Sequence, residues 1–509
     1  MSSALLVAGT SSDAGKSVVV AGICRWLRRQ GVSVAPFKAQ NMSLNAAVTA
    51  DGSEIGRAQA AQAAAAGVEP EASMNPVLIK PTGERQAQVV VMGRVLTHTS
   101  AAGYQDLKDR LLPVVLDALE HLRSRFDVVI CEGAGGIAEI NLRQSDLANL
   151  GLARAASLPV VVVGDIDRGG VFASLFGSLA LLDPQDQALV RAFLVNKFRG
   201  DVDLLEPGIA ELQRRTGRSV LGVLPWVRGL ELDAEDSLAL EAPRRAASPV
   251  PGRATLLVAV VRLPRLSNFT DVDPLAAEPG VEVRFTDSAT ELAAADLAVL
   301  PGTKATVADL AWLRLHGLDG MLAERARSGK PVLGICGGYQ MLGRCVDDAV
   351  ESGAGPVEGL GLLPVETVFE PDKVLARPSG LAPSFGATRV DGYEIHHGRV
   401  RRHGGEPVFV VDGAGAEGCR SGVVVGTSWH GVFESDAFRR AFCSWVAGVR
   451  GVAWIPGSVS FADAREARLD LLGDLIADHV DGAALLGLID GSSLTAGAGL
   501  PVVTTGLAD

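Results

Sequence analysis

Short runs of apolar residues alternate with stretches of helical periodicity along the first half of the chain. The runs are rich in valine and show no polar alternation, which is typical of strands that are covered on both faces. The runs are 4–8, 32–37, 127–131, 159–163, 192–195 and 220–224, and the first helix is predicted at 16–30. Strands that alternate with helices predict a parallel, doubly wound sheet.

A second series of the same kind continues to about residue 450. Its strands are predicted at 255–261, 281–285, 296–302, 331–336 and 423–431. Between the two series, residues 239–254 contain three prolines and break the pattern, which indicates an interdomain linker. Residues 463–480 have the spacing of one amphipathic helix, and residues 491–509 are predicted to form a loose tail.

The predicted fold class is therefore α/β, with two doubly wound α/β domains, because 509 residues are too many for one ordinary core. The predicted divisions are a first domain at 1–240, a linker at 241–253, a second domain at 254–450, and a C-terminal helix and tail at 451–509.

Composition and net charge argue against several kinds of binding partner. The net charge of −12 argues against nucleic acid, which usually requires a basic surface. No window approaches about 18 uninterrupted apolar residues, so no membrane partner is expected. Six cysteines without a C-x-x-C pair suggest neither a zinc site nor a disulfide framework, and we expect a cytoplasmic protein. A homo-oligomer is compatible with the sequence, but the sequence does not predict the oligomeric state.

The stretch "VAGTSSDAGKSVVV" lies between a predicted strand and a predicted helix. Five residues separate its two glycines, where the usual phosphate loop has four. Backbone N–H groups, the Lys16 ammonium and a Mg²⁺ bound by Ser17 would hold the phosphates of ATP, although a glycine-rich turn without a ligand is the alternative. The nucleotide-binding candidates in this loop are Gly9, Thr10, Asp13, Gly15, Lys16 and Ser17.

Polar side chains follow three later strands of the first series. Glu132 is a candidate Mg²⁺ ligand, Asp165 and Asp167 are candidates for Mg²⁺ or substrate, and Asn196 could read an adenine edge. The carboxyl ends of strands are where a doubly wound sheet places ligand residues. Each of these residues alone is also typical of an ordinary turn.

Cys336 stands in "GICGG", the G-x-nucleophile-x-G pattern of a strand-to-helix elbow. The N–H of Gly337 would stabilise an oxyanion, with a second donor near Gly302 and Thr303. His430 in "SWHGVF" is the preferred base, and His396 and His397 are its competitors. A buried structural cysteine is the alternative interpretation.

Two resemblances add to these patterns. "GTSSDAGKS" with "EGAGG" resembles the dethiobiotin synthetase branch of phosphate-loop NTPases, which use ATP to activate a carboxylate. This resemblance implies that Lys38 is a substrate-side lysine and that Glu54 is a further Mg²⁺ ligand. The second half resembles the class I glutamine amidotransferase domain, which is flavodoxin-like and hydrolyses L-glutamine. That family commonly places a glutamate two residues after the histidine, but here the position is Val432, and the nearest acid is Glu434.

In their order and number, the motifs resemble the cobyric acid synthase family, and examples are "FKAQNMSLN", "GDIDRGGVFAS", "VRLPRLSNFTDVDPL" and "YEIHHG". The resemblance implies ATP- and glutamine-dependent amidation of a corrinoid. Its implied substrate residues are Lys38, Gln40, Asn41, Asp165, Asp167 and Arg168. The alternatives are a cobyrinic acid a,c-diamide synthase and a ParA-like ATP switch with a degenerate glutaminase module.

Overall fold

The computed structural model of the chain describes residues 3–83, 85–227, 230, 244–245, 255–491 and 500–504. The strands of the first domain are β1 (Ser3–Gly9), β2 (Val34–Phe37), β3 (Gln40–Met42), β4 (Ala46–Val48), β5 (Glu54–Gly56), β6 (Val77–Pro81), β7 (Gln86–Val91), β8 (Arg94–Ser100), β9 (Val128–Glu132), β10 (Val160–Asp165), β11 (Val190–Phe198) and β12 (Ser219–Pro225). Its helices are α1 (Lys16–Arg29), α2 (Arg57–Ala66), α3 (Ala101–Arg123), α4 (Leu150–Ala156), α5 (Val171–Ala180), α6 (Pro184–Leu189) and α7 (Glu206–Thr216).

Six of these strands form one parallel sheet in the order β12-β11-β10-β1-β9-β2. Leu5, Leu6 and Val7 of β1 are fully buried, as expected for a central strand with helices on both faces. The strand order reverses between β1 and β9, so the crevice of this sheet opens beyond the end of β1. The predicted doubly wound sheet is confirmed.

The strands of the second domain are β13 (Arg244–Arg245), β14 (Leu256–Val261), β15 (Val281–Thr286), β16 (Leu297–Leu300), β17 (Val332–Ile335), β18 (Cys345–Asp348), β19 (Gly355–Glu358), β20 (Val365–Ala376), β21 (Ser379–Ala382), β22 (Thr388–Asp391), β23 (Glu394–Arg402), β24 (Phe409–Val411), β25 (Gly415–Glu417), β26 (Cys419–Ser421) and β27 (Val424–Thr427). The helices that follow in the chain are α8 (Asp273–Ala277), α9 (Ala289–Ala294), α10 (Thr306–Leu315), α11 (Leu318–Arg327), α12 (Gly337–Leu342), α13 (Asp436–Arg450), α14 (Phe461–His479) and α15 (Gly482–Ile489).

The main sheet of the second domain has the order β13-β15-β14-β16-β17-β27-β26. Its five inner strands are parallel, and an antiparallel strand lies at each edge. The predicted linker 241–253 therefore contributes one short strand, β13, to this sheet. The rest of that linker lies outside the described residues.

Smaller sheets bring the two domains together. In the first domain, β3, β6, β7 and β8 form one sheet, and β4 pairs with β5 in a hairpin. One buried cluster then crosses between the domains, since Ala46 and Val48 of the hairpin pack with Tyr393 and Ile395 of the second domain. The domains are thus joined by a shared apolar core as well as by the chain itself.

The C-terminal segment returns to the first domain. Helix α14 covers nearly the range predicted for it and packs against α1, where the guanidinium of Arg25 lies 2.6 Å from the carboxylate of Asp470. The prediction of a loose tail is wrong for residues 500–504, because Val503 is buried and exchanges two backbone hydrogen bonds with the Gln187 side chain, 2.8 and 3.0 Å long. The remaining residues predicted as tail, apart from Gly491, lie outside the described residues.

Candidate active sites

The glycine-rich loop of the first domain joins β1 to α1. Gly15 has φ +95°, a conformation that favours glycine, and a Cβ there would lie 2.1 Å from the Asn196 side chain. The Lys16 ammonium donates to the carbonyls of Ser11, Ser12 and Gly135 at 2.8 to 3.0 Å, so it lies over the loop. The loop and the start of α1 thus present N–H groups and a cation to one place, as phosphate binding requires.

Glu132, at the end of β9, is the buried carboxylate of this site. Its oxygens accept hydrogen bonds from Ser17 Oγ at 2.8 Å, from the Lys38 ammonium at 2.9 Å and from the Gln62 amide. Burial alone would raise the pKa of the Glu132 carboxyl, but Lys38, Gln62 and Ser17 hold it below its ordinary value. The carboxylate is therefore charged at neutral pH.

Polar residues at the ends of β10 and β11 contact the glycine-rich loop between β1 and α1. The Asn196 amide donates to the Ala14 carbonyl at 2.9 Å, and the Lys197 ammonium joins the Asp13 carbonyl to the Asp165 carboxylate at 2.6 and 2.8 Å. Asn196 therefore uses its amide to hold the loop. Asp167 is more exposed, and its carboxylate pairs with the Arg199 guanidinium at 2.9 Å.

These residues line a cleft of about 1170 Å³. This volume exceeds the roughly 300–1,000 Å³ of most small-ligand sites, so the cleft has room for a nucleotide and a second substrate together. The predicted residues on its wall are Asp13, Gly15, Lys16, Ser17, Lys38, Gln40, Asn41, Glu132, Asp165, Asp167, Arg168 and Asn196. Gly9 and Thr10 do not line it, and the Thr10 N–H donates to the Val163 carbonyl at 3.0 Å.

The C-terminal helix α14 contributes a wall that the sequence analysis did not anticipate. Leu472, Leu475 and Ile476 line the same cleft. Their positions follow from the packing of α14 on α1, which no local pattern in the sequence reveals.

The structure does not bring Glu54 to this cleft, so its assignment as a Mg²⁺ ligand is wrong. Glu54 lies on β5 at the domain interface, and its two carboxylate oxygens pair with the ammonium groups of Lys80 and Lys373, each at 2.6 Å. Burial would raise the pKa of this carboxyl, but Lys373 and Lys80 together hold it well below its ordinary range. Glu54 is an ion-pair partner within the interface.

Cys336 lies at the turn between β17 and α12. Its φ of 48° and ψ of −109° are unusual for a residue with a side chain. Such strain persists only where the surrounding structure enforces it, and it is typical of the turn that presents a nucleophile. The sulfur therefore stands above the carboxyl end of the sheet.

Gly337, Gly302 and Thr303 lie around this turn. A Cβ on Gly337 would lie 3.1 Å from the Thr303 nitrogen, and a Cβ on Gly302 would lie 3.0 Å from His430 Cε1. The close approach of Thr303 to Gly337, and of the His430 ring to Gly302, leaves little room for a side chain at either glycine. The N–H groups of Gly337 and Thr303 are thus neighbours beside Cys336, which is the arrangement expected of an oxyanion site.

His430 follows β27 and is fully buried beside the nucleophile. Its ring interacts electrostatically with the Cys336 side chain, while Nδ1 donates to Asp271 Oδ2 at 2.7 Å. The other oxygen of Asp271 accepts from the Gly431 N–H at 2.9 Å, which fixes the carboxylate. Burial alone would lower the pKa of His430, but Asp271 and Cys336 raise it to about 10. The imidazole is therefore protonated at neutral pH.

Val432 stands where a class I glutamine amidotransferase domain commonly has a glutamate, and here Asp271 is the carboxylate that contacts the histidine. It belongs to a 3₁₀ turn, Phe269–Val272, after β14, and therefore lies at the same sheet edge as Cys336. Sequence reasoning missed it because it lies 159 residues before the histidine. The available signal was its place after a predicted strand, in the motif "SNFTDVDPL".

The other candidates around His430 have different partners. Glu434 pairs with Arg57 of the first domain. The Nδ1 atoms of His396 and His397 lie 2.8 and 3.0 Å from the carbonyls of Gly398 and Glu370. His430 is the histidine whose pKa is raised by its interaction with Cys336.

A small pocket of about 30 Å³ adjoins Cys336. Ser267, Thr303, Gln340 and His397 give it a polar wall, and Lys80 of the first domain closes one side. A pocket of this size has room for about one or two water molecules. Both domains are needed to form it.

Two features are absent from the described residues. They contain no cluster of three or more histidine, cysteine, aspartate or glutamate side chains arranged to hold a metal ion. They also contain no helix that is both long and apolar enough to cross a membrane.

Two family models and several curated proteins are similar to this chain. Residues 5–239 match the family model of the CobQ/CobB/MinD/ParA nucleotide binding domain, and residues 257–438 match that of the CobB/CobQ-like glutamine amidotransferase domain. The chain is 59% identical to the cobyric acid synthase of Frankia casuarinae, over 99% of this chain and 100% of the relative. It is 58% identical to that of Saccharopolyspora erythraea, over 99% and 97%, and 57% identical to that of Streptomyces coelicolor, over 99% of both chains.

Proposed function

The chain belongs to the cobyric acid synthase family, and from that premise we propose how its residues perform the amidation. The substrate proposed is adenosylcobyrinic acid a,c-diamide, whose b, d, e and g carboxylates become primary amides at the expense of ATP and L-glutamine. One observation supports this proposal most strongly. A single chain contains both a phosphate-loop cleft and a Cys336–His430–Asp271 arrangement, in two domains that pack together.

The first step is activation of a carboxylate in the cleft. A substrate carboxylate oxygen attacks the γ-phosphorus of ATP, ADP leaves, and an acyl phosphate results. Lys16 and the loop N–H groups neutralise charge on the transferring phosphoryl group, which is the main need of such reactions.

Mg²⁺ fits the residues at this place. Ser17 Oγ and a Glu132 oxygen are 2.8 Å apart, and oxygen ligands of this kind are those that Mg²⁺ prefers. Ser17 and Glu132 would hold the ion together with nucleotide phosphates and water. When bound, Mg²⁺ supplies positive charge that offsets the charge of the phosphates.

The second step releases ammonia from glutamine beside Cys336. His430 lies beside Cys336, so the nucleophile and its proton-transfer partner are adjacent. The Cys336 sulfur attacks the side-chain amide carbon, and the Gly337 and Thr303 N–H groups stabilise the oxyanion. His430 donates a proton to the leaving nitrogen, which departs as ammonia, and then takes a proton from the water that hydrolyses the thioester to glutamate.

In the third step, the ammonia nitrogen attacks the carbonyl carbon of the acyl phosphate, and phosphate leaves. We assign the binding of the corrinoid to the polar wall of the cleft formed by Lys38, Gln40, Asn41, Asp167 and Arg168. We assign Asp165 to support of the phosphate loop, since its carboxylate pairs with Lys197, which also donates to the Asp13 carbonyl.

A reducing, cytoplasmic setting belongs to the same proposal. All six cysteines, which lie within the described part of the chain, are unpaired.

Mass spectrometry of the corrinoid product tests the proposed function. Purified protein is incubated with ATP, Mg²⁺, glutamine and the a,c-diamide, and parallel reactions omit ATP or replace the substrate with cobyrinic acid. Four added amides on the a,c-diamide are expected, with none in the reaction without ATP. Two amides added to cobyrinic acid, with none added to the a,c-diamide, would assign the chain to diamide synthesis instead.

A further inference from the structure

One buried cation on the wall of the large cleft takes no part in the steps described above. Lys108 of α3 lines the cleft, with 8% of its surface exposed. Three other cations of this wall, Lys38, Arg143 and Lys197, each pair with a carboxylate of the protein. Lys108 has no ion pair with any residue that the structure describes. A buried cation without a counter-ion costs free energy, so its place in the wall requires a reason.

The direct contacts of the Lys108 ammonium are with neutral groups. It donates to Ser145 Oγ at 3.3 Å and lies 5.7 Å from the centre of the Tyr104 ring. Burial lowers the pKa of Lys108, and the charge of Asp146 offsets this only in part. The Asp146 carboxylate is itself occupied, since it accepts from three backbone N–H groups, each at 2.9 Å. The ammonium therefore keeps donors for a further acceptor.

Lys108 is held between two segments of the cleft wall. On one side, Tyr104 of the same helix donates to Gln40 Oε1 at 2.6 Å, and Gln40 belongs to the polar wall assigned to the corrinoid. On the other side, Ser145 ends the 3₁₀ turn that follows the loop after β9. The cation thus joins the proposed substrate wall to the loop opposite it.

Each of these two segments also exposes a large apolar side chain. Met42 at the end of β3 and Leu142 in the 3₁₀ turn both line the cleft, and 57% and 45% of their surfaces are exposed. Apolar side chains around a few polar groups are typical of a concave ligand site. A ligand with an apolar ring face and carboxylates at its edge matches this combination.

We propose that Lys108 binds a carboxylate of the corrinoid other than the one being activated, while the face of the macrocycle lies against Met42 and Leu142. The inference rests on the proposed function, which gives the cleft a substrate with several carboxylates. The ammonium would donate a charge-assisted hydrogen bond to the carboxylate, and the bound anion would supply the counter-ion that the protein does not. Lys38 is less suited to this part, because Glu132 already pairs with it.

Steady-state amidation tests the assignment. Wild type, Lys108→Gln and Lys108→Arg are assayed with saturating ammonium chloride as the nitrogen source, and the KM for the a,c-diamide, the KM for ATP and kcat are measured separately. Lys330→Gln is the matched control, because it removes the same charge from the second domain, where Lys330 donates to the Ala293 carbonyl at 2.9 Å. A thermal melt of each variant checks its folding.

In Lys108→Gln we expect the KM for the a,c-diamide to rise about ten-fold. The KM for ATP and kcat should stay near wild type, because a carboxylate that does not react is bound equally in the ground state and the transition state. Lys108→Arg should recover most of the loss, since it keeps the cation, and Lys330→Gln should match wild type. An unchanged KM for the a,c-diamide in Lys108→Gln would overturn the inference. A rise in the KM for ATP alone would also overturn it, because that places Lys108 at the nucleotide.

Leu142→Ser tests the apolar part of the same site. Leu142 is too exposed for the fold to depend on it, and Leu315→Ser, at a position 82% exposed on α10, is its control. The KM for the a,c-diamide should rise several-fold in Leu142→Ser and stay unchanged in the control. This variant decides the question if Lys108→Gln melts well below wild type, and an unchanged KM would then overturn the inference. Absence of amidation by wild type would instead contradict the proposed function.

Discussion

Two buried carboxylates, Glu132 in the first domain and Asp271 in the second, solve the same electrostatic problem in different ways. Each is almost inaccessible to water, and burial alone disfavours a charge. Glu132 keeps its charge through Lys38 and two neutral donors, whereas Asp271 is bonded to His430 and a backbone N–H. The first arrangement prepares a fixed anion near phosphates, and the second keeps a proton on the base beside the nucleophile.

The spaces around the two carboxylates differ as strongly. Glu132 faces a cleft of about 1170 Å³, and the Cys336 pocket measures about 30 Å³. A wide cleft suits a large substrate that presents several carboxylates in turn, whereas the small pocket leaves little space beside Cys336. Both domains place their site residues in loops at the ends of sheet strands. They differ in how much space a substrate has at the site.

The largest effect is expected from the cleft side, in Lys16→Ala. Loss of the cation over the phosphate loop should reduce amidation about a thousand-fold with glutamine and with ammonia alike, because both routes need the acyl phosphate. Glutamate release, measured without ATP, should stay near wild type. Loss of the glutamine route alone would contradict the division of labour.

On the pocket side, Asp271→Asn should lower glutaminase turnover about a hundred-fold, since the imidazole loses the group that positions it. Amidation with ammonia should be unaffected. Glu434→Gln is the matched control and should retain its turnover, because Glu434 pairs with Arg57. Equal losses in the two variants would place the orienting group elsewhere.

The pH dependence of stability sharpens the same comparison. The pKa of His430 is raised from 6.5 to about 10, so the stabilisation from its charged form is complete below pH 6.5 and disappears as the pH rises through about 10. The difference in unfolding free energy between wild type and Asp271→Asn, measured by urea titration, should therefore shrink across that interval. A difference that grows with pH would mean that His430 is neutral when folded.

A third buried carboxylate, Glu54, extends the comparison to the interface. Glu54→Gln leaves two buried ammonium groups without their anion and should cost about 3–5 kcal/mol of unfolding free energy. The pKa of Glu54 is held below its ordinary value of 4.5, so the loss should be full above that pH and should diminish as the pH falls. Denaturant titration at two pH values measures it, and a constant difference would contradict the ion pairing.

The smallest effect is expected at the surface of α14. The Asp474 side chain is 55% exposed where it pairs with Arg29, so Asp474→Asn should change the unfolding free energy by less than about 1 kcal/mol. A thermal melt suffices to measure it. A loss comparable to that of Glu54→Gln would mean that the docking of α14 depends on this pair.

The sequence predicted those parts of the sites that follow from strand ends. Gly15, Lys16, Glu132, Cys336 and His430 all stand directly after or before apolar runs, and the parallel sheets bring them to common edges. Pattern and spacing therefore select them as candidates without a structure.

What the sequence did not predict depends on packing between distant segments. Asp271 reaches His430 across 159 residues, and Glu54 is drawn to Lys373 of the other domain instead of to the phosphate loop. Helix α14 was predicted as a helix, but its place on α1 is set by side-chain fit, since a Cβ on Gly22 would lie 2.8 Å from Ile476. Apart from the place of Asp271 after a predicted strand, these contacts leave no local signal in the sequence.

The most direct measurement of the central claim is amidation by Cys336→Ser with each nitrogen source. With glutamine, ATP and the corrinoid, the variant should form no amide above background and release no glutamate. With ammonium chloride in place of glutamine, it should form amides at the wild-type rate, because the cleft is intact. Undiminished amidation with glutamine would contradict the claim that Cys336 supplies the nitrogen, and loss of amidation with ammonia would contradict the claim that the two sites are separate.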